Sequence, residues 1–248
     1  MKDPKTNVII LPGIHSISEA AADRLSEVAA EAVYNRGLFH LVLSGGKTPE
    51  TLYKILTQSP YNSSIPWDLT HIFWGDERCV PPENKESNFG EAQRVFLSSL
   101  PVREHNIHRI KGELGAQKAQ DDYRQLLERQ SDQGRGWPQF DLVLLGMGAD
   151  GHTASLFPGQ ISVDERQNSV ISVTAHYEGR PSSRITMTPL AINSARNIIF
   201  LVTGSNKAAA FAAAINGPED QEKWPVQRIR PSQGSVIWLV DEDAGADL

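Results

Sequence analysis

The chain has 248 residues, 40% of them apolar and 22% charged, with a formal net charge of −6. That length can bury one large core or two small ones, and the acidic balance excludes a general nucleic-acid binder, which needs a basic stripe. No apolar run nears the roughly 20 residues that span a bilayer, the opening MKDPKTNVII reads as no signal peptide, and the single cysteine, Cys79, excludes an internal disulfide, so a cytoplasmic chain that binds neither membrane nor nucleic acid is expected.

Short runs rich in Val, Ile, Leu and Phe recur at 7–11, 39–44, 70–74, 141–146, 169–174, 197–204 and 235–240. Several are apolar almost throughout, the pattern of strands covered on both faces. Helical periodicity fills the intervals. Ile17, Ala21, Leu25, Val28, Ala29, Ala32 and Val33 mark the first helix, with Ser16 and Glu19 as a capping box and Gly37 as its stop. Further helices are predicted near 49–58, 87–98, 117–130 and 206–215. Segments 131–139 and 215–225 read as loops, without the length or bias of a linker, and the acidic stretch 241–248 as a solvated terminus. Strands alternating with helices predict an α/β class: one domain over 1–248, layered around a mainly parallel, Rossmann-like sheet.

Ligands of such sheets sit beyond the carboxyl ends of the strands, so the residues after each apolar run are the candidates. In LVLSGGKTPETLYKIL (41–56) the GGKT invites a nucleotide-binding P-loop. That motif needs a glycine five residues before the Gly-Lys pair, and Leu41 stands there. What is left is Ser44-Gly45-Gly46, Thr48 as N-cap and Pro49 at the first helical position. This arrangement suits an anion at a helix N-terminus, or simply a tight strand-to-helix turn. After the run 70–74, Asp76, Glu77 and Arg78 bring charge to the sheet edge, as a pocket or as plain surface. Cys79 has no identifiable base beside it and reads as a small packed residue.

The stretch GMGADG (146–151) matches a dinucleotide fingerprint, but Pro158-Gly159 leave no room for the helix that fingerprint requires. The crowding of Asp150, His152, Thr153 and Ser155 among glycines is more telling. Glycine lets backbone approach a ligand, and histidine can shuttle protons near neutrality. Further on, Lys207 opens an alanine-rich helix, where a cation opposes the dipole unless an anion lies between them. Arg184 can offer the same anion a bidentate fork. His105 and His108 lack a third ligand, and HExxH and cysteine pairs are absent from the sequence, so no metal is predicted.

Taken together and in this order, SGGKTP, WGDERCVPP with SNFG, GMGADGHTASLFPG, and SSRITMTPLAINSA with VTGSNKA resemble the 6-phosphogluconolactonases over nearly the whole chain. The wider superfamily includes glucosamine-6-phosphate deaminases and ribose-5-phosphate isomerases, and the resemblance implies an α/β/α sandwich with phosphosugars at the strand ends. GDER and HTASLFPG favour the lactonases over the deaminases, which carry an Asp-Glu-Tyr type sequence in place of residues 76–78. Glu83 and Glu86 stand where lactonases often have aspartates, with charge retained.

The resemblance implies hydrolysis of 6-phosphoglucono-1,5-lactone, with no cofactor, by a monomer or weak homodimer. In this reading Ser44, Gly45, Gly46, Thr48, Arg184 and Lys207 hold the phosphate. Asp76 and Arg78 face substrate, and His152 is the general base. Asp150 either orients His152 or binds a sugar hydroxyl, and N–H groups of the 146–151 loop polarise the lactone carbonyl. A deaminase or isomerase, and a non-catalytic phosphosugar sensor, are the alternatives.

Overall fold

The computed structural model describes residues 6–131, 134–160 and 163–248. Strand β1 (Thr6–Leu11) leads into α1 (Ile14–Arg36), β2 (Phe39–Leu43), α2 (Lys47–Leu56) and the one-turn α3 (Tyr61–Ser64). Next come β3 (Thr70–Trp74), β4 (Asp76–Arg78), α4 (Asn88–Val95), β5 (Ile107–His108) and α5 (Ala116–Arg129). The rest comprises β6 (Leu142–Gly146), β7 (Val170–Thr174), β8 (Ser183–Met187), α6 (Pro189–Ile192), β9 (Asn197–Val202), α7 (Ala208–Asn216) and β10 (Ser235–Asp241).

Seven strands form one sheet in the order β1-β10-β9-β6-β2-β3-β5, with every pairing parallel. The middle strands β2, β6 and β9 are buried along nearly their whole length, which is why their sequences run apolar without alternation. Helix α1 lies across β2, β9 and β10 and packs on α2, while α5 covers a second, smaller sheet. The result is a three-layer α/β/α sandwich. Strand β2 is its pivot, with β3 and β5 on one side and β6, β9 and β10 on the other. A crevice therefore opens beyond the carboxyl ends of β2 and β6, where the winding reverses.

The second sheet, β4-β8-β7, is antiparallel. It claims residues 170–174, and it contains two strands, 76–78 and 183–187, that no apolar run announced. β4 is charged throughout and β8 mixes polar with apolar side chains, and Arg184 stands directly opposite Arg78. Residues 107–108, which no apolar run announced, add a short edge strand beside β3.

Helix ends also moved. Helix α1 begins at Ile14, not after Ser16: the Ile17 N–H donates to the Gly13 carbonyl, and no side chain caps this end. Its other end is as expected, with Gly37 left-handed at φ +79° and its N–H donating to the Val33 carbonyl. Helix α2 starts at Lys47, so Gly46 (φ +110°) is its N-cap and Thr48 lies within the first turn. The stretch 241–248 is not simply solvated, because Asp241 is buried at the end of β10 and Ala244 is fully buried. Of the expected loop 131–139, residues 132 and 133 lie outside the described residues, as do residues 1–5 of the opening segment.

Candidate active site

β9, β6, β2 and β3 are consecutive neighbours and all parallel, so the segments 203–207, 146–153, 44–48 and 75–78 open onto one edge of the sheet. Four stretches remote in sequence thus become contiguous.

The turn after β6 holds an acid–imidazole pair. Asp150 Oδ1 lies 2.6 Å from His152 Nδ1 and also accepts the His152 backbone N–H at 3.1 Å. Burial alone would raise the Asp150 carboxyl, but the hydrogen bond and charge of His152, with backbone N–H donors, hold it below the usual range. The arrangement favours an Nδ1–H donor to Asp150, which leaves the lone pair on Nε2. Of the two roles open to Asp150, the geometry supports orienting the imidazole.

Gly148 makes this pair possible, since a Cβ at that position would overlap both the His152 ring and Asp150 Oδ1. Gly151, at φ +78°, lets the turn close on Trp224, whose ring would sit 2.7 Å from an added Cβ. The turn is internally bonded. The Gly148 N–H donates to the His152 carbonyl (2.9 Å), the Gly151 N–H to the Gly148 carbonyl (3.0 Å), and the Thr153 hydroxyl to the Gly146 carbonyl (2.8 Å). This narrows an expectation: within the 146–151 loop the N–H groups of Gly148 and Gly151 are engaged by the turn itself.

The His152 ring, 16% exposed, stacks on Phe157 with centroids 4.6 Å apart, and Tyr177 meets it edge-on at 4.7 Å. Burial, then Glu178 and Asp150, push the Tyr177 phenol up to about 12, so it stays neutral. The Arg184 guanidinium lies 5.4 Å from the Phe157 ring centroid. Phe157 therefore joins the imidazole to the cationic part of the site.

Arg184 is only 3% exposed, has no carboxylate within ion-pair distance among the described residues, and leaves Nε and Nη2 without partners. Burial lowers its pKa; Asp76 opposes that, whereas Arg78 and Arg180 reinforce it. Arg78, across the strand pair, donates from Nη1 to the Glu86 carbonyl at 2.6 Å and leaves Nε unpartnered. Lys207 stands at the N-terminus of α7, its ammonium also lowered by burial against the opposing pull of Asp241 and Glu178. Desolvated cations beside other cations are unfavourable, and a bound anion relieves both effects.

The remaining predicted residues fall into place with changed tasks. Asp76, 6% exposed, accepts from the Ser155 hydroxyl at 2.6 Å and from Asn88 Nδ2 at 3.3 Å, so its carboxylate braces the site from behind. Asn88 in turn packs over Gly45 so closely that no Cβ fits there. The Ser44 N–H donates to the Tyr53 hydroxyl and its carbonyl accepts from it, which removes that N–H from any phosphate cradle. Thr48 shares a 2.8 Å hydroxyl–hydroxyl bond with Thr203, tying the start of α2 to the end of β9. The Glu91 carboxylate takes the Gly46 N–H as Tyr53 takes that of Ser44, which corrects the expectation that the Gly46 N–H serves a phosphate.

Glu77 is wholly structural. Its carboxylate accepts from the Arg78, Asn88 and Phe89 N–H groups and from the Ser87 hydroxyl, and so caps α4. Cys79 is partly buried, and burial pushes its thiol up, as suits a packing role. Several supports were not foreseen: Tyr53, Asn88, Phe157, Tyr177 and Asp241, whose carboxylate grips the Gly204 N–H through both oxygens at 3.0 and 2.9 Å. Only Asn88 and Phe157, lying inside SNFG and HTASLFPG, had a motif to announce them.

An α/β sandwich with an Asp–His pair and a buried arginine, Arg184, that no carboxylate pairs among the described residues is the architecture of a phosphosugar-processing enzyme. The chain belongs to the family of glucosamine-6-phosphate isomerases/6-phosphogluconolactonase, which matches it over residues 14–238. It is 38% identical to the 6-phosphogluconolactonase of Aggregatibacter actinomycetemcomitans over 205 residues, covering 83% of this chain and 85% of that one. The 6-phosphogluconolactonase of Haemophilus influenzae is equally similar, at 38% over 207 residues and the same coverage. Among solved structures, 6-phosphogluconolactonase from Trypanosoma cruzi superposes with a TM-score of 0.85 at 26% identity, covering 98% of this chain and 97% of that one.

Proposed function

We propose that this chain hydrolyses 6-phospho-D-glucono-1,5-lactone to 6-phospho-D-gluconate, the second step of the oxidative pentose phosphate route, as a cytoplasmic enzyme. The reading is supported above all by one observation: the Asp150–His152 pair, 2.6 Å apart, stands one aromatic ring away from the unpaired Arg184. A phosphosugar lactone needs both ends of that arrangement, a base at C1 and a dianion holder at the 6-phosphate.

In this mechanism Nε2 of His152 takes a proton from water as the water oxygen bonds to C1. The resulting tetrahedral centre collapses with cleavage of the C1–ring oxygen bond, and the imidazolium returns the proton to that oxygen. Asp150 keeps the imidazole in the Nδ1–H tautomer and stabilises its charged form. Arg184 and Lys207, with Gly45 and the start of α2, hold the phosphate, and Arg78 extends the cationic surface. Asp76, Ser44 and Thr48 act by position rather than by contact.

Loss of the lactone, followed against its uncatalysed decay, tests the assignment. His152→Ala is expected to lower kcat by about 10²- to 10⁴-fold with little change in KM, whereas Arg184→Ala is expected chiefly to raise KM. A His152→Ala enzyme with full kcat would overturn the base assignment, and ammonia release from glucosamine 6-phosphate would overturn the activity.

A further inference from the structure

At the opposite edge of the sheet, where β2, β6 and β9 begin, the chain forms a half-open cleft of about 420 Å³, lined by Arg36, His40, Arg135, Trp137, Asp141 and Arg196 among others. This falls within the size range of small-molecule sites. Its chemistry is unusual for a chain with a net charge of −6, since three of the lining residues are arginines and one is acidic.

The cleft is built rather than incidental. Asp141, 1% exposed, accepts from Arg36 at 2.7 Å and 3.1 Å, stands 3.4 Å from Arg196 Nε, and accepts the His40 N–H at 2.8 Å. One carboxylate thus fixes two guanidinium planes and leaves an excess positive charge before Arg135 at the rim is counted. Arg196 is further oriented by donating to Gln139 at 2.9 Å. Trp137 donates from Nε1 to the Ser194 hydroxyl at 2.9 Å, which sets its ring as a partly exposed wall beside the guanidiniums. Planar arginine forks recognise phosphate oxygens, and a fixed indole offers a stacking face for a flat ring.

We propose that this cleft is a second ligand site, separate from the lactone site, and that it takes an aromatic phosphate of the size of a nucleoside monophosphate, the phosphate on the arginines and the base on Trp137. The proposal does not depend on the lactonase reading.

Binding of adenosine 5′-monophosphate to the full chain tests it, read by tryptophan fluorescence and by calorimetry. Saturable quenching with a dissociation constant in or below the millimolar range is expected, with inorganic phosphate at least tenfold weaker. Arg196→Gln is expected to weaken the nucleotide at least tenfold, and Trp137→Leu to remove most of the quenching, while both retain lactonase activity. Arg135→Gln changes an exposed residue at the rim of the cleft, and an affinity loss of at least threefold is expected. The Arg184→Ala/Lys207→Ala variant is expected to bind the nucleotide as the unchanged chain does. Absence of saturable binding, equal affinity for phosphate alone, unchanged affinity in Arg135→Gln and Trp137→Leu, or loss of binding in the Arg184→Ala/Lys207→Ala variant would each overturn the proposal.

Discussion

The tightest constraint on the chemistry comes from an atom that is missing. Gly148 has no Cβ, and the space a Cβ would need is occupied by the His152 ring and the Asp150 carboxylate. Gly148→Ala must therefore displace the pair without removing either functional group. Because a misplaced base loses most of its advantage, kcat is expected to fall about 10²-fold or more while KM and the circular dichroism spectrum change little. An activity close to that of the unchanged chain would mean that the imidazole position is not limiting. Both the glycine and the histidine were readable in GMGADGH, as was the reason for suspecting a proton shuttle. The stacking of the ring between Phe157 and Tyr177 was not, because Tyr177 arrives from the β7–β8 connection, whose sequence carries no mark of the contact.

Among the secondary-structure elements, β4 illustrates how a charged cluster divides its labour. Its three residues, Asp76, Glu77 and Arg78, looked alike in sequence as a charged edge. In the fold Asp76 and Arg78 share one side of the strand, by the two-residue alternation of strands, and there Asp76 bonds Ser155 while Arg78 bonds the Glu86 carbonyl. Glu77 points the other way, into the N-terminus of α4. Burial raises its carboxyl, and four hydrogen bonds oppose that rise. Removing the carboxylate strands several buried donors at once, so Glu77→Ala should destabilise the chain by about 3 kcal/mol in urea unfolding. A loss below about 0.5 kcal/mol would show that water replaces the carboxylate without penalty. Helix starts needed correction as well: Ser16 and Thr48 have capping chemistry, but α1 begins at Ile14, with the Ile17 N–H bonded to the Gly13 carbonyl, and α2 at Lys47 after Gly46 at φ +110°.

At the scale of the whole molecule, a histidine cluster at the sheet edge is expected to contribute to the response to acid. His71 Nδ1 and His108 Nε2 are 3.0 Å apart, with His40 beside His71 at 5.4 Å between ring centroids. Burial first, and then the neighbouring histidines, lower both His71 and His108 from 6.5 to about 4. Above about pH 6.5 folded and unfolded chains both hold these rings neutral, and this contribution to stability is complete. As pH falls from 6.5 towards 4 the unfolded chain takes protons that the folded one refuses, so stability is lost across that window. After allowance for solvent screening the loss is on the order of 2 kcal/mol. Urea midpoints between pH 7 and pH 4.5 should show it, and His108→Phe should flatten the slope. A slope unchanged in that variant would assign the acid response to other groups.

The division between what was legible and what was not follows from the range of the forces involved. Apolar runs, helical periods and glycine turns are local consequences of burial and backbone sterics, so the parallel α/β class, the strand-end loops and the candidacy of His152, Asp150, Arg184 and Lys207 could be read from the chain alone. Hydrogen-bond assignment is not local. Whether Ser44 N–H meets a phosphate or Tyr53, whether Thr48 caps a helix or bonds Thr203, and whether Asp76 touches substrate or Ser155 depended on partners 9, 155 and 79 residues away in sequence. Only the folded arrangement, in which β9, β6, β2 and β3 lie side by side, settles which polar groups are consumed by the scaffold and which remain for a ligand.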